Sequence, residues 1–205
     1  MDFSFNEEQR AWQHKAREFA KSEIRPISIQ RDQIEGGFEP WDWEIIEKGS
    51  RLGFRTLAVP KEWGGPGTDF VTQTLVMMEL AKGDSAICKA FSQNWKWSHL
   101  IASACNDDQK DRFLKSFISD DRYLIGRGIT EPNAGLDTTM LDVKAEKSGD
   151  GYIVSGQKIW TSMAQRATKV LLLARTTQKD QVKKKTDGLS LFYTDLNRDY
   201  AEIRE

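Results

Sequence analysis

Apolar positions recur at three- and four-residue intervals through the first part of the chain, and at two-residue intervals from Tyr123 onward. This switch, near residue 121, predicts helices followed by strands. Asn6 precedes Glu7, Glu8 and Gln9, a set that caps a helix start and suits its dipole, and Trp12, Ala16, Phe19 and Ala20 then share one face. Pro26 is expected to end this helix, because the residue before a proline is pushed out of helical geometry. A second helix is expected from Trp41 to about Leu52, stopping at Gly53. The glycines and proline of KEWGGPGTD, Lys61 to Asp69, predict a loop. Further helices are expected from Thr68 or Asp69 through Leu80, from Asp84 or Ser85 to about Ala104, and from Asn106 or Asp107 through Phe117. Together they predict an antiparallel helical bundle.

In the second part, Val143 and Ala145 alternate with Lys144 and Glu146, SGDG turns the chain from Ser148 to Gly151, and Tyr152 to Ser155 returns as a partner strand. Lys169 to Ala174 and Leu189 to Thr194 read as two further strands. The stretch between them, Gln178 to Gly188, carries Lys179 and Lys183 to Lys185 and is expected to be a solvated loop, with phosphate binding as the alternative. The expected fold class is therefore α+β: an all-α bundle over residues 1–120, then an all-β barrel or sandwich-like domain over 121–205, incomplete at its C-terminal end.

Charge narrows the function classes. Lys and Arg number 30 against 31 Asp and Glu, so no general attraction to nucleic acid or an anionic membrane is expected. The acidic start, MDFSFNEEQR, is unlike a secretory signal, and no apolar run reaches membrane-spanning length, which predicts a soluble, unexported chain. Cys88, Cys105, His14 and His99 are too dispersed for a metal cluster, and both cysteines are expected to be reduced, buried thiols.

Two segments suggest chemistry. In GITEPNAGLD, Gly128 to Asp137, a strand end meets Thr130 and a turn forced by Pro132 and Gly135, which presents a hydroxyl and unpaired backbone amides. Such a set holds the polar edge of a heteroaromatic ring or a pyrophosphate; an ordinary strand-end turn is the alternative. In KIWTS, Lys158 to Ser162, Trp160 stands beside Thr161 and Ser162, able to pack on a bound ring and donate to its nitrogen, unless the tryptophan is simply core. The chain contains no GxGxxG, so a dinucleotide-binding fold is not indicated.

Over nearly its whole length the sequence resembles the acyl-CoA dehydrogenase family. The resemblance rests, in order, on MDFSFNEEQ with EIRP, LGFRTLAVPKEWGGPG, MMELAKGDSA, NDDQKDRFL, GITEPNAGLD, YIVSGQKIWTS and VLLLART. Of these, the TEPxAGxD and KxWxT/S segments are the most specific. The resemblance implies a helical domain, then a β domain against which FAD lies. It places Ile129 and Thr130 at the flavin's pyrimidine side, Trp160 against the flavin, and Thr161 and Ser162 next to it, with Ser162 near the reactive nitrogen N5. Arg127 falls within the same cofactor region, where the family commonly has an aromatic or apolar residue. Leu136 stands where the family usually has serine, so only its backbone is carried over to cofactor or substrate. Phe91 and Trp95 fall on a helix implied to help line the acyl pocket, and packing within the bundle is the alternative for both.

The implied reaction removes a proton from the α carbon of an acyl-CoA thioester and a hydride from the β carbon to the flavin. The base is implied to be a carboxylate of a C-terminal helical domain, so no catalytic residue is expected within residues 1–205, and Glu131 is not nominated. Further implied are electron-transferring flavoprotein as acceptor, a homodimer or homotetramer, and a cytoplasmic setting, or the mitochondrial matrix for a mature eukaryotic form. An acyl-CoA oxidase, a flavin monooxygenase and a non-catalytic interaction module on the same scaffold are the competing readings.

Overall fold

The computed structural model describes residues 4–34 and 43–204. The chain divides into two compact units, residues 1–123 and 124–205.

The first unit is helical. Helix α1, Glu7–Phe19, begins at a capping box in which the Asn6 carboxamide accepts from the Gln9 amide and the Gln9 side chain accepts from the Asn6 amide. The chain does not leave the helix at Pro26. A single π-helical turn, Ala20–Ile24, widens the ladder so that the Arg25 amide reaches back to the Ala20 carbonyl, and α2, Arg25–Asp32, starts there. Pro26 thus occupies the first turn of a new helix, where a missing N–H costs little, and this corrects the expected stop. Helix α3 spans Trp43–Arg51; the expected start at Trp41 lies outside the described residues. Asp69 caps α4, Phe70–Gly83, and Asp84 caps α5, Ser85–Ala104. Asn106 forms a second capping box at α6, Asp107–Ser119.

The core of this unit is aromatic. Phe54 stacks obliquely on Phe19 at 5.3 Å and meets Phe91 edge-on at 6.2 Å. Gly49 of α3 admits the Phe91 ring, since a Cβ there would sit 2.3 Å from Phe91 Cζ. Arg55 is also buried, donating to Ser50 Oγ and the Phe117 carbonyl, and burial draws its guanidinium down to about 10.

The second unit holds five strands: β1, Ile125–Gly128; β2, Lys144–Ser148; β3, Gly151–Ser155; β4, Lys169–Arg175; and β5, Leu189–Asp195. The hairpin is the one expected, with β2 and β3 antiparallel and Gly149 at φ 57° in its turn. Strand β4 organises the rest: β5 runs antiparallel along one edge over its full length, while β1 and the start of β2 lie parallel to it on the other. The described strands therefore make one open mixed sheet rather than a closed barrel or a two-layer sandwich.

Candidate functional site

The two chemistry-bearing segments both belong to the second unit. After β1, the backbone at Glu131 and Ala134 closes a tight turn over Pro132 and Asn133 by two reciprocal hydrogen bonds of 3.0 and 3.1 Å. Those two amides are thus consumed by the turn itself, contrary to the expectation that it leaves its amides unpaired. Beyond it Leu136 is fully exposed, and a Cβ built on Gly135 would meet nothing within 4 Å. Asp137 then caps the short 3-10 turn Thr138–Met140 through the Thr139 amide; the Thr139 hydroxyl, which also donates to it, holds its carboxyl below the usual range.

KIWTS follows β3 through Gly156, at φ 132°, where a Cβ would sit 2.7 Å from Val143 Cγ2, which leaves no room for a side chain. The Ile159 amide donates to the Thr130 carbonyl at 2.9 Å, so the two segments lie side by side. Trp160 takes a left-handed conformation, φ 56°, and leaves 85% of its surface exposed. A bulky residue in that region is strained, and an indole left in water forgoes burial. The Thr161 carbonyl accepts from the Ala164 amide at 3.1 Å, Met163 is again left-handed at φ 66°, and Arg198 donates to the carbonyls of Ala164 and Gln165. Thr161 and Ser162 are half-buried on this folded loop, as are Ile129 and Thr130 opposite it. Trp160 is accordingly a presented ring, not a core residue.

A feature that motif reading did not single out joins the segments from inside. Lys158 Nζ donates to Glu131 Oε1 at 2.6 Å and to the Ile129 carbonyl at 3.0 Å. The Glu131 carboxylate, only 4% exposed as a residue, also accepts from the amides of Asp142 and Val143. Burial pulls the Lys158 ammonium below the usual lysine range, and the hydrogen bond it donates to Glu131 opposes that. Three donors, the Lys158 ammonium and the amides of Asp142 and Val143, thus hold the Glu131 carboxylate in place.

The remaining candidates lie elsewhere. Arg127 is exposed on β1, beside Leu171 of β4. Phe91 has no exposed surface and Trp95 is buried with its indole N–H on the Phe54 carbonyl, so the structure packs both into the helical core in place of the expected acyl pocket lining. In the lysine-rich loop Lys183 to Lys185 are exposed, while Lys179 is tied to Asp142 and to the Met140 carbonyl. Cys88 is buried and its thiol pushed up to about 11, whereas Cys105 is only half-buried. Among the described residues no three His, Cys, Asp or Glu side chains converge as metal ligands, and no helix is long and apolar enough to cross a membrane.

The family model for the acyl-CoA dehydrogenase N-terminal domain matches residues 6–121, and that for the middle domain matches 126–205. The chain is 29% identical over 197 residues to a 3-(aryl)acrylate reductase of Clostridium sporogenes, covering 95% of this chain and 50% of that protein. It is 30% identical over 197 residues to a short-chain specific acyl-CoA dehydrogenase of Clostridium acetobutylicum, with 94% and 48% covered. A chain in the structure of the electron-transferring flavoprotein of Acidaminococcus fermentans matches with a TM-score of 0.84 and 29% identity, over 95% of this chain and 49% of that one. The chain thus spans about half the length of the curated relatives it matches.

Proposed function

Because the chain belongs to the acyl-CoA dehydrogenase family, we propose that its second unit carries the flavin-facing loops of an FAD-dependent enzyme that desaturates an acyl-CoA thioester. The observation that carries this reading is the presentation of Trp160, strained and 85% exposed, on a loop bonded through Ile159 to Thr130. The residue types fit a flavin: a flat exposed indole on a loop that also carries Thr161 and Ser162 and is bonded through the Ile159 amide to Thr130, next to Ile129.

In this reading Ile129 and Thr130 hold the polar edge of the ring, Trp160 covers one face, and Ser162 donates at its reactive side. Leu136 offers only its backbone, so one side-chain hydrogen bond of about 0.5–1.5 kcal/mol is forgone relative to the family's usual serine. FAD, when bound, supplies the acceptor for the hydride leaving the substrate's β carbon. Glu131 takes no part in proton transfer, since its carboxylate is committed to Lys158 and two amides. We assign the α proton to a carboxylate outside residues 1–205, electron-transferring flavoprotein as the partner that reoxidises the flavin, and a homodimer or homotetramer as the assembly.

The test uses protein expressed from its complete coding sequence, mixed anaerobically with acyl-CoA thioesters of increasing length while the flavin's visible absorbance is followed. Bleaching by at least one saturated thioester is expected, with reoxidation by electron-transferring flavoprotein and little peroxide in air. Because one relative is named for reducing an acrylate, the reduced enzyme is also offered α,β-unsaturated acids. Purified protein that takes up no flavin, or whose flavin no thioester bleaches, removes the proposal.

A further inference from the structure

On the flavin reading above, we infer that Lys158 and Glu131 are positioning residues whose buried ion pair fixes the GITEPNAGLD and KIWTS segments relative to each other for the flavin. The pair joins four stretches of chain: the end of β1 at the Ile129 carbonyl, the Glu131 turn, the entrance to β2 at the amides of Asp142 and Val143, and the start of KIWTS. Its side chains are only 9% and 4% exposed. Burying two charges gains little over an apolar pair of the same volume, and removing one partner strands the other. Such a pair is informative where it fixes geometry, and here the ammonium and carboxylate together bind three backbone groups that no apolar substitute could hold.

The strands make way for it. A Cβ on Gly128 would stand 3.2 Å from Lys158 Cγ and 2.5 Å from Leu172 Cδ2, so the lysine passes β1 at a residue that carries no side chain. The β4–β5 and β2–β3 ladders run without the pair, and although the Val143 amide is held by Glu131, its side chain packs with Ala145, Ala174, Val154 and Phe192 in the sheet's own apolar cluster. Loss of the pair should therefore release the loops while the sheet persists.

The experiment is an FAD titration of the apoprotein, made from the complete coding sequence and held well below its melting temperature, for Lys158→Met, Glu131→Gln, the double variant and Lys158→Arg. Each of the first two should weaken FAD binding by about tenfold or more. The double variant should be no weaker than the worse single, and Lys158→Arg should recover part of the affinity, since a guanidinium can still donate to both oxygens. Val170→Ala, buried in the same sheet, should lower stability and leave FAD affinity unchanged. Wild-type affinity in a folded Lys158→Met or Glu131→Gln variant overturns the inference. So does loss of the sheet's circular dichroism in both singles and the double, because the pair would then be holding the fold. No FAD binding by the unaltered protein overturns the flavin reading itself, and the inference with it.

Discussion

At Trp160 two unfavourable features coincide: a left-handed backbone, which costs a side-chain-bearing residue about 1–2 kcal/mol, and an indole 85% exposed. A fold keeps both where a ligand uses the ring. Trp160→Gly should therefore act in opposite directions on two measurements. The apoprotein should melt later, by about 1 kcal/mol of added stability, because glycine accepts φ 56° without strain, and FAD affinity should fall. Unchanged affinity in a stabilised variant would falsify the role given to the ring. The motif made Trp160 a candidate with a core tryptophan as the alternative, and the exposed ring excludes the core. Lys158 was beyond reach for the opposite reason. Lys158 entered only as the first residue of KIWTS, and the glycine crossing at position 128 and the acid at position 131 are what make it interior. Phe91 and Trp95 show the same ambiguity resolved toward packing, since a bulky aromatic on an amphipathic helix looks alike whether it lines a pocket or a core.

Where α1 meets α4, a charged seam supplements the apolar contact. Glu79 of α4, buried with a side chain 2% exposed, accepts from Arg17 and Gln13 of α1 and from Lys82 on its own helix. The Arg17 hydrogen bond, helped by Lys82 and opposed by burial, holds its carboxyl at about 2 instead of the ordinary 4.5. A carboxylate whose folded value is depressed contributes stability that is complete above the unfolded value and lost as pH falls through the folded one. Thermal melts between about pH 6 and pH 2 should thus show stability declining below roughly the ordinary carboxylate value. Glu79→Gln should flatten that part of the profile and cost about 1–3 kcal/mol at neutral pH; an unaltered acid slope would show the seam to be inert. Helix starts were the most legible elements, because Asn6, Asp69, Asp84 and Asn106 cap through local chemistry. Pro26 misled because its position in the first turn of α2 depends on a π-helical turn that no local signal announces.

Across the whole chain, the succession of helices and strands was legible and the sheet's connectivity was not. Period-two alternation reports a strand's two faces but not its partner, so the β2–β3 hairpin could be read from its turn, whereas the parallel pairing of β1 with β4 joins residues more than forty positions apart. That long-range pairing sets the start of β1 beside the end of the loop before β4, where the Thr168 amide donates to the Leu124 carbonyl, while Ile159 and Lys158 tie the beginning of that loop to the chain just after β1. The flavin reading then makes a spatial claim about the chain that hydrogen exchange can test. Ligand binding to the native state alone stabilises it by about 2.7 kcal/mol at a hundredfold excess over Kd. Protection beyond that global shift should concentrate in fast-exchanging amides at the contact. FAD should therefore slow exchange most in residues 129–137 and 158–167, which lie outside the strands and are joined through Ile159 and Lys158. The amides of β5 and of the lysine-rich loop at 178–188 should change least. Strong protection of that loop instead would point to its lysines as a phosphate site and would move the cofactor away from Trp160.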